Sequence, residues 1–167
     1  MRNAEQWIKE LDMSPLPEEG GWFKEVYRSD EFIPKNSLPD RFQGKRTFST
    51  SIYYLLKSDE FSAFHRIKQD EIWHFYEGSS LTIHIIDQSG TYKQIKLGRD
   101  FDSGECFQAT IDKENLLAAT VKKQGSFSLI GCTVAPGFEF EDFEAPNRSQ
   151  LLELYPEHKV VITKLTR

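Results

Sequence analysis

Apolar and polar residues alternate with a period of two through most of the chain from Arg46 to Val134, and that alternation predicts strands. Arg46 to Leu56 places Ser49, Ser51, Tyr53 and Leu55 on one face and Phe48, Thr50, Ile52, Tyr54 and Leu56 on the other. Phe61, Ala63, His65 and Ile67 share a face before a short polar bend. Glu71, Trp73 and Phe75 share a face after it, up to Gly78. Leu81, Ile83 and Ile85 mark the next strand, ended by Asp87-Gln88-Ser89-Gly90, and Tyr92 to Leu97 follows. Glu105 to Ile111 reads as one strand, with Phe107, Ala109 and Ile111 opposed to Cys106, Gln108 and Thr110. Leu116 to Val121 and Ser126 to Val134 close the series. Short strands at regular spacing, with turn residues between them and no long helical pattern, predict an all-β sandwich or barrel.

The ends differ. Asn3 can cap a helix from Ala4 to Leu11, which Ser14-Pro15-Leu16-Pro17 breaks. Gly20-Gly21 opens a strand in which Trp22, Lys24, Val26 and Arg28 alternate with Phe23, Glu25 and Tyr27. Both faces mix apolar and charged residues, which suits a strand touching a pocket or a second subunit. Glu31 to Lys45 reads as a polar, proline-bearing loop. Near the other end, Asn147 or Ser149 can cap a helix from Gln150 to Tyr155, and Pro156 can start a further helical turn through Lys159 to Leu165. At 167 residues the expectation is a single domain over 1–167 with a sizeable core.

Composition narrows the function. The aromatic share of 13% is high, and aromatics both favour strands and line small-molecule pockets. A net charge of −5 with no basic run argues against nucleic acid as a partner. No apolar run reaches membrane-spanning length, and Met1 to Leu11 lacks a signal-peptide core, so the expected location is the cytoplasm. Cys106 and Cys132 lack CxxC spacing and read as reduced, small hydrophobes.

The chemistry concentrates between Phe64 and Gly78. This stretch holds His65 and His74, two of the four histidines, together with Asp70, Glu71, Arg66 and the aromatics Trp73, Phe75 and Tyr76. A bend between two strands can bring an imidazole and a carboxylate into one site, for metal binding or acid–base work. A solvated turn with a satisfied histidine explains the same spacing equally well.

The H-x5-E-x6-G run from His65 to Gly78 resembles the first motif of the cupin superfamily. Gly131-Cys132-Thr133-Val134-Ala135-Pro136-Gly137-Phe138-Glu139-Phe140-Glu141-Asp142-Phe143 strongly resembles the G-C-x-V-x-P-G-F-x-F-x-D-F signature of the cupin_5 family (DUF985). Glu19-Gly20-Gly21-Trp22-Phe23 with Tyr27-Arg28-Ser29, then Ser51 to Leu56, His65-Arg66 and Asp70 to Trp73, match that family in order. The resemblance implies a double-stranded β-helix, the cupin jelly roll, here with short N-terminal and C-terminal helices, and a homodimer.

Two departures shape what the resemblance implies. Ile67 stands where the first motif carries a second histidine, and Leu117 stands where the second motif supplies another. Of the family's three-histidine, one-glutamate metal set, His65 and Glu71 match. No cofactor is therefore expected; a metal at His65 and Glu71 is the less favoured alternative. Glu18 to Glu25 is also similar to a strand of the dTDP-4-keto-6-deoxyhexose 3,5-epimerases, metal-free cupins, with Gly20 in place of their arginine.

The leading expectation is a metal-free cupin binding a small polar metabolite, such as a sugar or nucleotide derivative. If it is an enzyme, it is an isomerase or epimerase with His65 as base, Glu71 orienting it and Tyr53 as proton donor. Ser51, Trp73, Phe75, Gln108, Cys132, Lys24 and Arg28 are the expected ligand contacts. A non-catalytic binding or sensing protein is one alternative, and a metal-dependent cupin oxygenase or isomerase is another.

Overall fold

A computed structural model describes residues 2–167. Helix α1 (Ala4–Glu10) comes first, followed by β1 (Ser14–Pro15), β2 (Trp22–Arg28), β3 (Phe32–Ile33), β4 (Arg46–Thr47), β5 (Thr50–Lys57), β6 (Phe61–His65), β7 (Asp70–Gly78), β8 (Leu81–Ile86) and β9 (Tyr92–Leu97). β10 (Glu105–Cys106), β11 (Gln108–Ile111), β12 (Leu116–Val121) and β13 (Phe127–Ala135) lead to α2 (Arg148–Leu154) and α3 (Lys159–Lys164). This is the all-β, two-sheet arrangement that the resemblance implies, with short terminal helices.

One sheet runs β1-β2-β5-β13-β7-β11, and the facing sheet runs β10-β9-β8-β12-β6. Period-two patterning sends alternate residues into the space between them. Tyr54, Leu56, Trp73, Phe75, Ile130 and Cys132 come from the first sheet. Ile83, Ile85, Leu117 and Ala119 come from the second. Each fully buried Leu or Ile contributes about 1.5–3 kcal/mol, so this interlayer core dominates stability.

The outer faces are apolar in part because the terminal segments cover them. α2 and α3 bring Leu151, Ile162 and Leu165 onto Phe64, Ile86, Leu116 and Ala118. α1 brings Trp7, Ile8 and Leu11 toward Leu55, Phe127 and Leu129, with Trp22 and Tyr53 alongside. Both α1 and α2 begin with reciprocal capping boxes, Asn3 with Gln6 and Asn147 with Gln150. Asn147 therefore starts α2 at Arg148, two residues before the predicted Gln150.

Two predicted strands divide. The Arg46–Leu56 run breaks at Phe48 and Ser49: Thr47 pairs with Phe32 in a separate two-stranded sheet, and Thr50 onward joins the large sheet. Glu105 to Ile111 splits at Phe107. Glu105 and Cys106 pair parallel to β9, whereas Gln108 to Ile111 pair antiparallel to β7 in the opposite sheet. The chain changes layers there, and Phe107 is left exposed.

Candidate functional site

A cavity of about 410 Å³ opens between the sheets, bounded by β2, β5, β7, β13 and the segment after β13. His65 ends β6, where its backbone pairs with Leu117. Glu71 begins the inward face of β7, opposite Ile111 and Val134. The bend between these strands puts both side chains on the cavity wall. Glu19 arrives from the loop before β2. Gly20 and Gly21 have φ of 99° and 74°, and a Cβ on either would meet Phe61's carbonyl oxygen or the Tyr54 hydroxyl at 2.5 Å. The paired glycines thus let this loop press against the barrel wall, and Tyr54 donates to the Gly20 carbonyl at 2.9 Å.

His65 is buried, with its ring stacked on Phe143 at 5.3 Å. Its Nδ1–H donates to the Ala63 carbonyl at 2.8 Å, and its Nε2 lies 3.7 Å from a Glu19 carboxylate oxygen. One oxygen of Glu71 accepts from Trp73 Nε1–H at 3.1 Å and from the Cys132 thiol at 3.3 Å. Its other oxygen is buried without a partner. Burial pushes the Glu71 carboxyl above the ordinary glutamate value, with His65 and the Trp73 hydrogen bond opposing. Burial and the neighbouring Glu71 carboxylate hold the Cys132 thiol well up as well, so it is no ready nucleophile.

Arg28 closes the rim. Its guanidinium donates to both oxygens of Glu25 at 3.0 and 2.8 Å, to Glu139 at 2.8 Å and to the Phe138 carbonyl at 3.1 Å. Glu25 pairs with Ile52 but Tyr27 with Ser51, leaving Val26 as an extra residue. This bulge turns Arg28 onto the same face as Phe23 and Glu25.

The sequence profile of Cupin_5, described as Cupin superfamily (DUF985), matches residues 5–145. The chain belongs to the Cupin_5 family. An uncharacterised protein of Saccharomyces cerevisiae is 31% identical over 134 residues, spanning 74% of this chain and 66% of that one, just under two thirds of its length. Among solved structures, a Shewanella oneidensis protein superposes with a TM-score of 0.90 at 38% identity, covering 100% of this chain and 99% of that one. A hypothetical protein from Leishmania major gives 0.88 at 31%, covering 99% of each. Oxalate decarboxylase of Bacillus subtilis gives 0.56 at 15% identity over 92% of this chain and 37% of that one, a likeness of fold alone.

In this Cupin_5 chain the predicted site residues separate into two groups. His65, Glu71, Cys132 and Arg28 line the cavity together. Tyr53 does not: it lies on the outer face of β5, packed edge-on against Tyr76 at 5.9 Å. Ser51 shares that face and meets Thr133 Oγ1 at 3.0 Å. Strand parity is the reason, because Thr50, Ile52 and Tyr54 take the inward positions. Trp73 and Phe75 face inward but fill the core beneath the cavity, where Trp73 touches it through Glu71. Gln108 is exposed on β11, paired with His74. Lys24 reaches away to Asp12 at 2.7 Å.

Pattern reasoning missed Glu19 as a site residue, together with Phe23, Glu25, Ile52 and the aromatic wall of Phe138, Phe140 and Phe143. The Glu-Gly-Gly run was the available signal for Glu19, since paired glycines mark close backbone approach. Phe138 to Phe143 form an aperiodic segment with a short 3-10 turn at Phe140–Asp142, which alternation does not detect.

A metal of the kind cupins hold does not fit these donors. Leu117 sits beside His65 in the buried core, and His84 lies on the other face of its strand, bonded to Tyr92 and Thr120. Among the described residues no three His, Cys, Asp or Glu side chains converge to hold a metal ion.

Proposed function

We propose that this cupin binds a small organic molecule in the interlayer cavity without a metal, and that His65 acts on it as a base. The observation that carries the reading is the Glu71 oxygen, buried without a partner on the wall of a mostly apolar cavity beside His65. An orphaned buried carboxyl is costly unless a ligand completes it. Apolar walls with a few converging polar groups are what a small-molecule site needs.

The base chemistry follows from the tautomer. Nδ1–H is held by the Ala63 carbonyl, so the neutral ring presents a lone pair at Nε2 on the side of Glu19. That atom can take a proton from a carbon beside a carbonyl. Glu19 then faces the imidazolium, and Glu71, whose carboxyl burial shifts toward holding a proton, can return one to the substrate. This is isomerase or epimerase chemistry, with Glu71 replacing Tyr53 as donor. A non-catalytic sensing protein uses the same cavity, with His65 serving only as a contact. The expected homodimer would form along the outer half of β2, where Val26 and Tyr27 are exposed. A single domain in the cytoplasm completes the proposal.

The test is a thermal-shift screen of small metabolites against wild type and Ile52→Trp, which projects a larger ring into the cavity. Ligands near a hundredfold over Kd should raise Tm by about 5–10 °C in wild type and not in the variant. Equal shifts in both would sink the cavity as the site. For each ligand found, exchange of substrate protons in D2O decides the chemistry. His65→Gln should abolish exchange while retaining binding if the protein is an enzyme; absence of exchange in wild type leaves the sensing role.

A further inference from the structure

We infer that the ligand of this cavity is a cation: an organic amine whose apolar body lies against the phenylalanine wall and whose ammonium sits among Glu71, Glu19 and His65. The inference rests on the small-molecule reading above and specifies its charge.

Four carboxylates line the cavity, Glu18, Glu19, Glu25 and Glu71. Arg28 is the one Lys or Arg among the lining residues, and four of its five N–H donors are engaged by Glu25, Glu139 and the Phe138 carbonyl. A phosphate or carboxylate ligand would have to share Arg28 with two carboxylates already bound to it, or sit close to Glu19 and Glu71, where low dielectric strengthens repulsion. The free acceptors point the other way. The second Glu71 oxygen has no hydrogen-bond partner, and Glu19 accepts from the Ser62 hydroxyl at 3.0 Å through one oxygen while its other oxygen meets only His65 Nε2 at 3.7 Å. An ammonium brings three donors and one positive charge to this arrangement. Phe23, Phe138 and Phe143 supply apolar and aromatic surface for the body and faces for the cation.

Three probes of nearly equal size separate charge from shape: benzylamine, benzyl alcohol and benzoate. The reporter is the indole N–H resonance of Trp73, which donates to Glu71, followed by 1H–15N NMR at pH 7.5 and fixed ionic strength. Benzylamine should shift this resonance saturably, with half-saturation at least ten-fold below that of benzyl alcohol, and benzoate should leave it unmoved. Glu71→Gln should lower the amine-over-alcohol preference about ten-fold. Glu19→Gln, in the loop before β2, gives a second arm should the buried substitution disturb folding, and should lower the preference in the same direction. Benzoate binding as tightly as benzylamine, no response to benzylamine, or a preference untouched by both substitutions overturns the inference. Metabolite hits that vanish in Ile52→Trp but are anionic would overturn the cation alone and leave the cavity reading standing.

Discussion

Two buried carboxyls, Asp142 and Glu71, are treated in opposite ways by one fold. Asp142 is 3% exposed and Glu71 is 6% exposed. Asp142 is surrounded by donors: Arg46 grips it with Nε and Nη2 at 2.8 and 2.6 Å, Gln69 donates at 2.8 Å, and Lys68 stands at 3.6 Å. Burial pushes its pKa up, but the Arg46 and Gln69 hydrogen bonds more than offset this and hold it below the ordinary value. Glu71 has an indole, a thiol and no cation in its hydrogen bonds, and its pKa is raised. The matched carboxylate is a clamp, since it ties the segment carrying Phe138, Phe140 and Phe143 to β4 and to the bend before β7. The unmatched one is where the fold leaves an interaction open. Perturbation in either direction marks a buried charge, but only the unmet kind points to a ligand.

The largest expected effect comes from breaking the clamp. Arg46 is 1% exposed and also reaches Glu141 at 2.6 Å. Arg46→Met strands the Asp142 carboxylate and should cost about 3–5 kcal/mol, read as a lower midpoint in urea unfolding. Adding Asp142→Leu should recover much of that loss, because removing both charges avoids the stranded one. The pH dependence has a definite sign. A depressed carboxylate pKa contributes stability above the ordinary aspartate value of 3.8, and that stability is lost as pH falls through the lower folded value. Wild type should show this acid loss and Arg46→Met should not. A loss under 1 kcal/mol would mean the two carboxyls are not energetically different.

Glu71→Gln should act with the opposite sign and a smaller size. A carboxyl whose folded pKa is raised above 4.5 weakens folding as pH rises from that value through the folded one. Replacing it with a neutral amide removes the penalty. Tm should rise by roughly 2–4 °C at pH 7.5, the shift for about 1 kcal/mol in a chain of this size, and should match wild type at pH 4. A variant less stable than wild type at pH 7.5 and equal at pH 4 would reverse the sign and break the contrast.

Alternation made most of the sheet framework legible, and the capping pairs made the terminal helices legible. The cavity was only half legible, for identifiable reasons. β5 is apolar on both faces because α1 covers the outer one, so its pattern does not reveal that Ile52 rather than Tyr53 faces the cavity. The bulge at Val26 reverses parity within a strand, which places Arg28 at the rim for a reason the residue spacing hides. His65 and Glu71 were found because a short bend keeps their relation local. Glu19 meets them across a long sequence separation, and pairing patterns carry no such information.

The smallest effect tests that parity directly. Tyr53 packs against Tyr76 on the outer face with no side-chain hydrogen bond among the described residues, so Tyr53→Phe removes a hydroxyl that neither the core nor the cavity uses. Stability should change by about 0.5 kcal/mol or less. Responses of the Trp73 indole to cavity ligands should also be unchanged, as should any proton exchange that depends on His65. A marked loss of exchange in Tyr53→Phe with binding intact would restore the hydroxyl as proton donor. The chemistry would then lie on both faces of β5, and Glu71 would lose its place as the proton donor.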